Sequence, residues 1–377
     1  MALTSSQTPP SKQATESAVS LEVAGQWRLM WWKFKRHRLA FVSLIVLIIF
    51  YLIAIFCEFV APTTTSKFWR DYVYAPPQTI KFVHDGQFGL YVNGYKFERD
   101  PRTFEKTWTI DNETIIPIGL FVKGEPYKLW GLFRGDRHLF GPTEAGQPFF
   151  LWGSDKNGRD ILSRSIYSSR ISLTIGLVGV LFTLVLGILF GGLSGLLGGW
   201  VDTSVQRLVE ILMSIPALPI YMAFGAMVPI DWPPTRIYFM TSLIISLLGW
   251  TWLARVVRSK FLSLREEDFV LAARLDGCGP MRLIFKHMLP SFYSHIIASL
   301  TLSIPSMILS ETALSFIGLG LREPVVSWGV QLKDAQKITN LANYPWILFP
   351  ALSIVIVVLA FNFLGDGLRD AADPYTL

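Results

Sequence analysis

The apolar residues of this chain gather in long runs separated by polar, charged stretches. Crossing roughly 30 Å of hydrocarbon takes about 20 apolar residues, and six runs meet that need. They cover about Leu39 to Ala61, Ile171 to Leu197, Leu208 to Val228, Ile237 to Ala254, Phe292 to Leu319 and Trp346 to Leu364. The third is interrupted by Pro216 and Pro219. The pattern predicts an all-α integral membrane protein with six transmembrane helices, which puts both ends of the chain on one side.

Lysine and arginine in the short connections select that side. The segment before the first run carries Lys12, Arg28, Lys33, Lys35, Arg36 and Arg38, and the stretch between the fourth and fifth carries Arg255, Arg258, Lys260, Arg265, Arg274, Arg282 and Lys286. The opposite short connections carry only Arg236 in one and Arg322, Lys333 and Lys337 in the other. The excess marks the cytoplasm, so residues 1–38 read as a cytoplasmic tail, disordered from Met1 to about Ser20. Residues 39–61 read as an uncleaved first span, because the apolar run starts too late and runs too long for a secretory signal.

Between the first two spans, residues 62–167 read as an extracytoplasmic insert containing β-structure. Phe88, Leu90 and Val92 alternate, Asn93-Gly94 supplies a turn signal, and Tyr95 and Phe97 alternate again, which predicts a hairpin. Further strands are expected at about Thr114 to Val122 and Tyr127 to Phe133, and a short surface helix over Asp160 to Arg170. Residues 168–377 read as a five-helix core.

Composition sharpens this picture. Of 377 residues, 51% are hydrophobic and 16% charged, against about 25% charged in a soluble domain. The net charge of +6 is accounted for by basic residues flanking the spans, with no call for nucleic acid as a partner. Two cysteines, Cys57 in the first run and Cys278 in a basic stretch, fall in different compartments by this topology. Metal-ligand spacing is absent. So are the phosphate-binding GxxxxGK[ST], HExxH and GxSxG motifs.

The stretch from Phe269 to Pro290 is the most informative. Phe269 to Leu275 favours a short helix, Gly277 and Gly279-Pro280 break it, and a second short helix starts at Pro280. Leu283, Ile284, Met288 and Leu289 fall on one face of that helix. This predicts a helix–turn–helix knob between two spans, which on physics alone is equally an interfacial helix pair capping the bundle.

The spacing Ala272, Ala273, Gly277, His287, Leu289, Pro290 resembles the EAA coupling loop of ABC-importer permeases. Leu271 stands where many members have glutamate, and histidine before Leu-Pro resembles the dipeptide/oligopeptide/nickel subgroup. Asp276 and Ser291 depart from that subgroup's common leucine and asparagine. Further resemblances to its second permease lie at Trp152 to Arg164 with Ser172 and Leu173, at Gly198 to Asp202 with Arg207 and Pro216, at Glu311 to Gly320 with Ser327-Trp328-Gly329, and at Gly365 to Asp370 with Asp373-Pro374.

The resemblance implies a type I ABC-importer transmembrane domain with a coupling loop at about 259–290. It implies partners: a homologous second permease, two ATP-binding subunits that carry the ATP and magnesium, and an extracytoplasmic substrate-binding protein, all at a bacterial inner membrane with lipid around the spans. The cargo it implies is di- or oligopeptides, with oligosaccharides, opines or nickel chelates as alternatives. No cofactor or catalytic residue is expected on this chain.

Glu311 is the acidic residue within the fifth apolar run. A carboxylate in hydrocarbon is costly and faces a wet cavity or a partner, so it is a candidate for the substrate pathway or for a hydrogen bond to a neighbouring helix, with Ser310 or Thr312 helping. Asn362 in the last run is weighed in the same way. Glu210 is expected to pair with Arg207. Glycines at 187, 191 and 195 suit close helix packing. Two other classes remain: an ATPase-independent secondary transporter, which calls for acidic or histidine relays or an internal repeat, and an anchored enzyme, which calls for a catalytic cluster around His84 or His138. The chain displays neither feature.

Overall fold

In a computed structural model, residues 26–84, 87–99, 101 and 106–372 are described. The tail before residue 26, including the segment expected to be disordered, and the terminal motif residues Asp373 and Pro374 lie outside them. Among the described residues, five helices are long and apolar enough to cross a membrane, and a bent pair taken as a single span makes a sixth. They surround a core to which Leu47, Leu173, Ile245, Ile308 and Val357 contribute from different helices.

Helix α1 (Gln26–Arg36) leads into α2 (Arg38–Ile55) through His37, whose Nδ1 accepts from the amide of Ala40. A short α3 (Cys57–Val60) follows. The next long helix, α4 (Ile161–Leu197), has 37 residues. The expected surface helix over Asp160 to Arg170 is its first part. Asp160 caps it by accepting from the amides of Leu162 and Ser163, and nothing between Ile161 and Leu197 stops it, since glycines pack within membrane helices without breaking them.

Gly198, at φ +64°, ends α4 and turns the chain into α5 (Gly199–Ser214). Pro216 ends that run and starts α6 (Ala217–Ala226), at 86° to α5. The interrupted third run is thus a broken pair. Proline cannot donate to the helical ladder, and the two halves part there. Helix α7 (Pro234–Leu264) packs along α4. The glycines of α4 make this approach possible: a Cβ on Gly191 would stand 2.4 Å from the carbonyl oxygen of Ala254, and one on Gly195 2.8 Å from that of Arg258.

Helix α8 (Asp268–Leu275) precedes a helical run that changes pitch twice. Pro280–Arg282 is α-helical, Leu283–Met288 widens to a π-helix, and Leu289–Phe292 tightens to a 3-10 turn. Pro290 interrupts the ladder, and the changes in pitch re-route the carbonyls around it. Helix α9 (Tyr293–Ile317) ends at Gly318, φ +89°. A strap with α10 (Trp328–Leu332) and α11 (Ile338–Asn343) leads to α12 (Phe349–Ala372).

Among the described residues the insert is an antiparallel four-stranded meander of β1 (Lys81–His84), β2 (Gln87–Arg99), β3 (Lys106–Leu129) and β4 (Phe133–Pro142). Asn93-Gly94 is not a hairpin turn. Strand β2 runs straight through it, and the partner strand bulges: Asn93 pairs with Ile115 but Gly94 with Asp111. The Asp111 carboxylate closes the extra loop by accepting from the Glu113 amide and the Thr114 hydroxyl. A Cβ on Gly94 would meet Thr114 Cβ at 2.9 Å, so the glycine makes room for the bulge. Thr114 to Val122 lies within β3, whose register slips between Lys123 and Tyr127, where Gly124 and Pro126 interrupt the ladder; the expected strand over Tyr127 to Phe133 is instead the end of β3, a turn and the first residue of β4.

Candidate coupling and translocation site

At the end of the bundle opposite the sheet, α8 and the run after Pro280 form the knob. Gly277 joins them at φ +77° with open space around it, a geometry that glycine adopts without strain. One face is buried: Val270, Ala273, Leu283, Ile284, Met288 and Leu289 pack with Phe261 of α7 and Leu196 of α4. Ile284 also lies against Gly192. The other face is bare. Leu275 is 89% exposed, and Phe269, Leu271 and Met281 are exposed on the same pair of helices; Phe285, also exposed, borders a pocket with Val185 and Tyr293. Ala272 and Pro290 lie on that outer side, and His287 is half-buried.

Helix α5 is fixed beside the knob by a pair that motif spacing did not reveal. Arg258 of α7 grips Asp202 through two hydrogen bonds, and Ser194 donates to the same carboxylate. Glu210 pairs with Arg207 at 2.8 Å, as expected.

Glu311 is fully buried in α9. Its Oε1 accepts from Ser315 at 2.7 Å and from Ser327, in the strap, at 2.8 Å. Ser310 and Thr312 are not its partners. Its Oε2 and the Thr312 hydroxyl have no hydrogen-bond partner among the described residues. The i,i+4 spacing to Ser315 carried the signal for one partner; Ser327 comes from outside the helix. Asn362 is half-buried on α12, and neither residue is drawn toward the other by a hydrogen bond.

The remaining motifs weld the sheet-side end. Asp155 accepts from the amides of Asn157 and Arg159 and pairs with the Arg159 side chain at 2.7 Å. Arg159 and the buried Arg164 both reach Glu323, at 2.6 and 3.3 Å. For Glu323, burial pushes the carboxyl pKa up, but the Arg159 hydrogen bond and the nearby guanidinium charges outweigh it, leaving it below the usual range. These groups edge a cavity of about 410 Å³. Trp328 is buried, donates its amide to the Ser172 hydroxyl oxygen and its ring N–H to the carbonyl of Ser165. Among the described residues no cluster of three His, Cys, Asp or Glu side chains could hold a metal, and both cysteines are free thiols.

A bundle of apolar helices with a buried polar centre and an exposed knob at one end defines a membrane transport subunit. Residues 164–376 match the family of binding-protein-dependent transport system inner membrane components, and residues 25–77 match the N-terminal TM domain of oligopeptide transport permease C. The chain belongs to that family of inner membrane components and is a permease subunit of an ATP-driven importer. A dipeptide transport system permease protein of Lactococcus lactis subsp. cremoris is 32% identical over 352 residues, 91% of this chain and 89% of the relative. The oligopeptide transport system permease protein of Bacillus subtilis is 36% identical over 223 residues, 59% of this chain and 70% of the relative. A putative peptide permease of Brucella ovis is 36% identical over 250 residues, 66% of this chain and 81% of the relative. Among solved structures, the inward-facing MetNI methionine ABC transporter aligns with a TM-score of 0.42 and 19% identity, over 56% of this chain and 96% of that one.

Proposed function

We propose that this subunit carries peptides across a bacterial cytoplasmic membrane, paired with a homologous permease, driven by two ATP-binding subunits and fed by an extracytoplasmic binding protein. The knob faces the cytoplasm and couples it to the ATPases through Ala272, Ala273, Gly277, His287, Leu289 and Pro290. ATP and magnesium are held by those partners. Both ends of the chain lie in the cytoplasm and the insert lies outside, on the side where the binding protein docks.

The observation that carries this reading is the knob's outer face. Leu275 at 89% exposure, with Phe269, Leu271 and Met281 of the same knob also exposed, supplies exposed apolar surface of the kind that marks a protein interface. Its inner face is rooted in the bundle, so a partner seated on the knob moves the helices. The relatives named for dipeptide and oligopeptide transport support the peptide cargo.

The test is purification of the tagged chain from its native membranes in mild detergent, beside a Leu275→Glu variant, with mass spectrometry of what accompanies each. The expected result is a second permease with both proteins and ATPase subunits with the parent chain alone. A parent chain recovered intact without ATPases would sink the reading. Uptake of labelled di- and tripeptides by the assembled complex, with sugars and nickel chelates as competitors, tests the cargo.

A further inference from the structure

The turn between β3 and β4 holds a bulky side chain in a costly conformation. Trp130 sits at φ +53° and Gly131 at +76°. Hairpin turns of this kind normally place Asn or Gly there, because a left-handed backbone costs roughly 1–2 kcal/mol for a residue with a Cβ. Such an outlier points toward a function, and the surroundings say which. The Trp130 ring N–H donates to the carbonyl of Ile55 at 2.8 Å, at the last turn of α2, and its ring lies 5.9 Å from that of Phe56. The sheet therefore folds back so that its tip reaches the end of the first span.

The tip is apolar and bare. Leu132 is 76% and Phe133 62% exposed, and Phe133 lies against Trp130. It continues a stripe of Val42, Ile45, Ile49 and Leu52 on α2 and Phe56 just past its end, all exposed and spaced three or four residues apart. Behind the tip, Lys128 and Arg134 face each other across the hairpin. Both are exposed and neither has an acidic partner among the described residues. Aromatic side chains at the level of a span's end, backed by cations, match the interface of a bilayer, where Trp is enriched and basic residues meet anionic headgroups.

We propose that the β3–β4 tip is a membrane-interface anchor: Trp130, Leu132 and Phe133 enter the headgroup layer of the leaflet in which α2 ends, and Lys128 and Arg134 lie against anionic phospholipid. The insert then rests on the bilayer by this tip. The opposite end of β3, at Thr107, stands in water.

The test attaches a nitroxide at Leu132→Cys in the full chain, with Cys278→Ser to remove the accessible thiol; Cys57 is buried. The protein is placed in nanodiscs of phosphatidylethanolamine and phosphatidylglycerol, and collision rates with oxygen and with a water-soluble nickel complex are measured. Phe133→Cys gives a second site, and Thr107→Cys the aqueous reference. The expected result is oxygen contact at 132 and 133 well above nickel contact, the reverse at 107, and a shallower position for 132 in Lys128→Gln/Arg134→Gln. Nickel access at 132 and 133 equal to that at 107 would overturn the proposal. So would protection that appears only when a soluble binding protein is added, which would make the tip a docking surface.

Discussion

Glu58 and Arg170 face each other in a two-pronged ion pair, with both guanidinium–carboxylate contacts at 2.6 Å. Arg170 also donates to the carbonyls of Ala54 and Ile55. One side chain of α4 thus satisfies the open end of α2 and clamps the helix that follows. Glu58 is buried, and the fork from Arg170 supplies both its oxygens with a charged donor.

Removing one partner strands the other charge. Glu58→Gln is expected to cost about 1–3 kcal/mol, discounted from the fully buried case because Arg170 is partly exposed. Arg170→Lys is expected to cost a similar amount, since a lysine cannot make the fork and reach two carbonyls together. Thermal unfolding in detergent, read by loss of monodisperse protein, checks both; midpoints unchanged from the parent would refute the clamp.

Glu311 accepts two hydroxyl hydrogen bonds through one oxygen. Glu311→Gln keeps that acceptor and is expected to cost less than about 1 kcal/mol, whereas Glu311→Ala leaves Ser315 and Ser327 without it and costs about 2–3 kcal/mol. Uptake by the assembled transporter separates structure from transport. Gln with full uptake marks a brace between α9 and the strap; Gln with normal stability and lost uptake marks a pathway group.

Gly191 meets the backbone of α7, which cannot step aside. Gly191→Ala is expected to cost about 1–3 kcal/mol through overpacking and to part α4 from α7. Gly89→Ala, with open space around it, is the control. A Gly191→Ala protein as stable as the control would contradict the packing.

Asp111 closes the bulge in the sheet. Hydrogen bonds from Thr114 and then Lys96 lower its pKa from 3.8 to about 2. A depressed carboxylate contributes stability above its unfolded value and loses it as pH falls through the folded one. Hydrogen exchange across residues 106–129, corrected for intrinsic rates, should accelerate as pH drops from about 4 to about 2 in the parent chain. In Asp111→Asn that step should be missing; an identical pH dependence in both would refute the assignment.

The spans were legible because length and apolarity decide them: α4 and α7 contain the expected runs, and α2, α9 and α12 overlap them with ends shifted by a few residues. The turn at Gly277 was legible because glycine stands between two helix-forming stretches. What escaped depends on partners far away in the chain. Asn93-Gly94 carries a strong local turn signal, but three residues of β3 loop out opposite it under the control of Asp111. Arg258 reads as one more cytoplasmic-side cation until α7 brings it to Asp202. Ser327 becomes a partner of Glu311 only when the strap folds back over α9. Trp130 reads as one of many aromatics until its ring reaches Ile55.

Helix α4 has 37 residues in one piece, about 55 Å at 1.5 Å per residue, well beyond the roughly 30 Å of a hydrocarbon core. Its two ends are gripped by different machinery: Ile284 of the knob bears on Gly192, and Trp328 of the strap is held by Ser165 and Ser172. The two grips stand about six to eight turns apart, and no break interrupts the helix between them. On the proposed role of the knob, a tilt imposed there is expected to reach the Ser165–Ser172 end as a sideways displacement of one continuous helix.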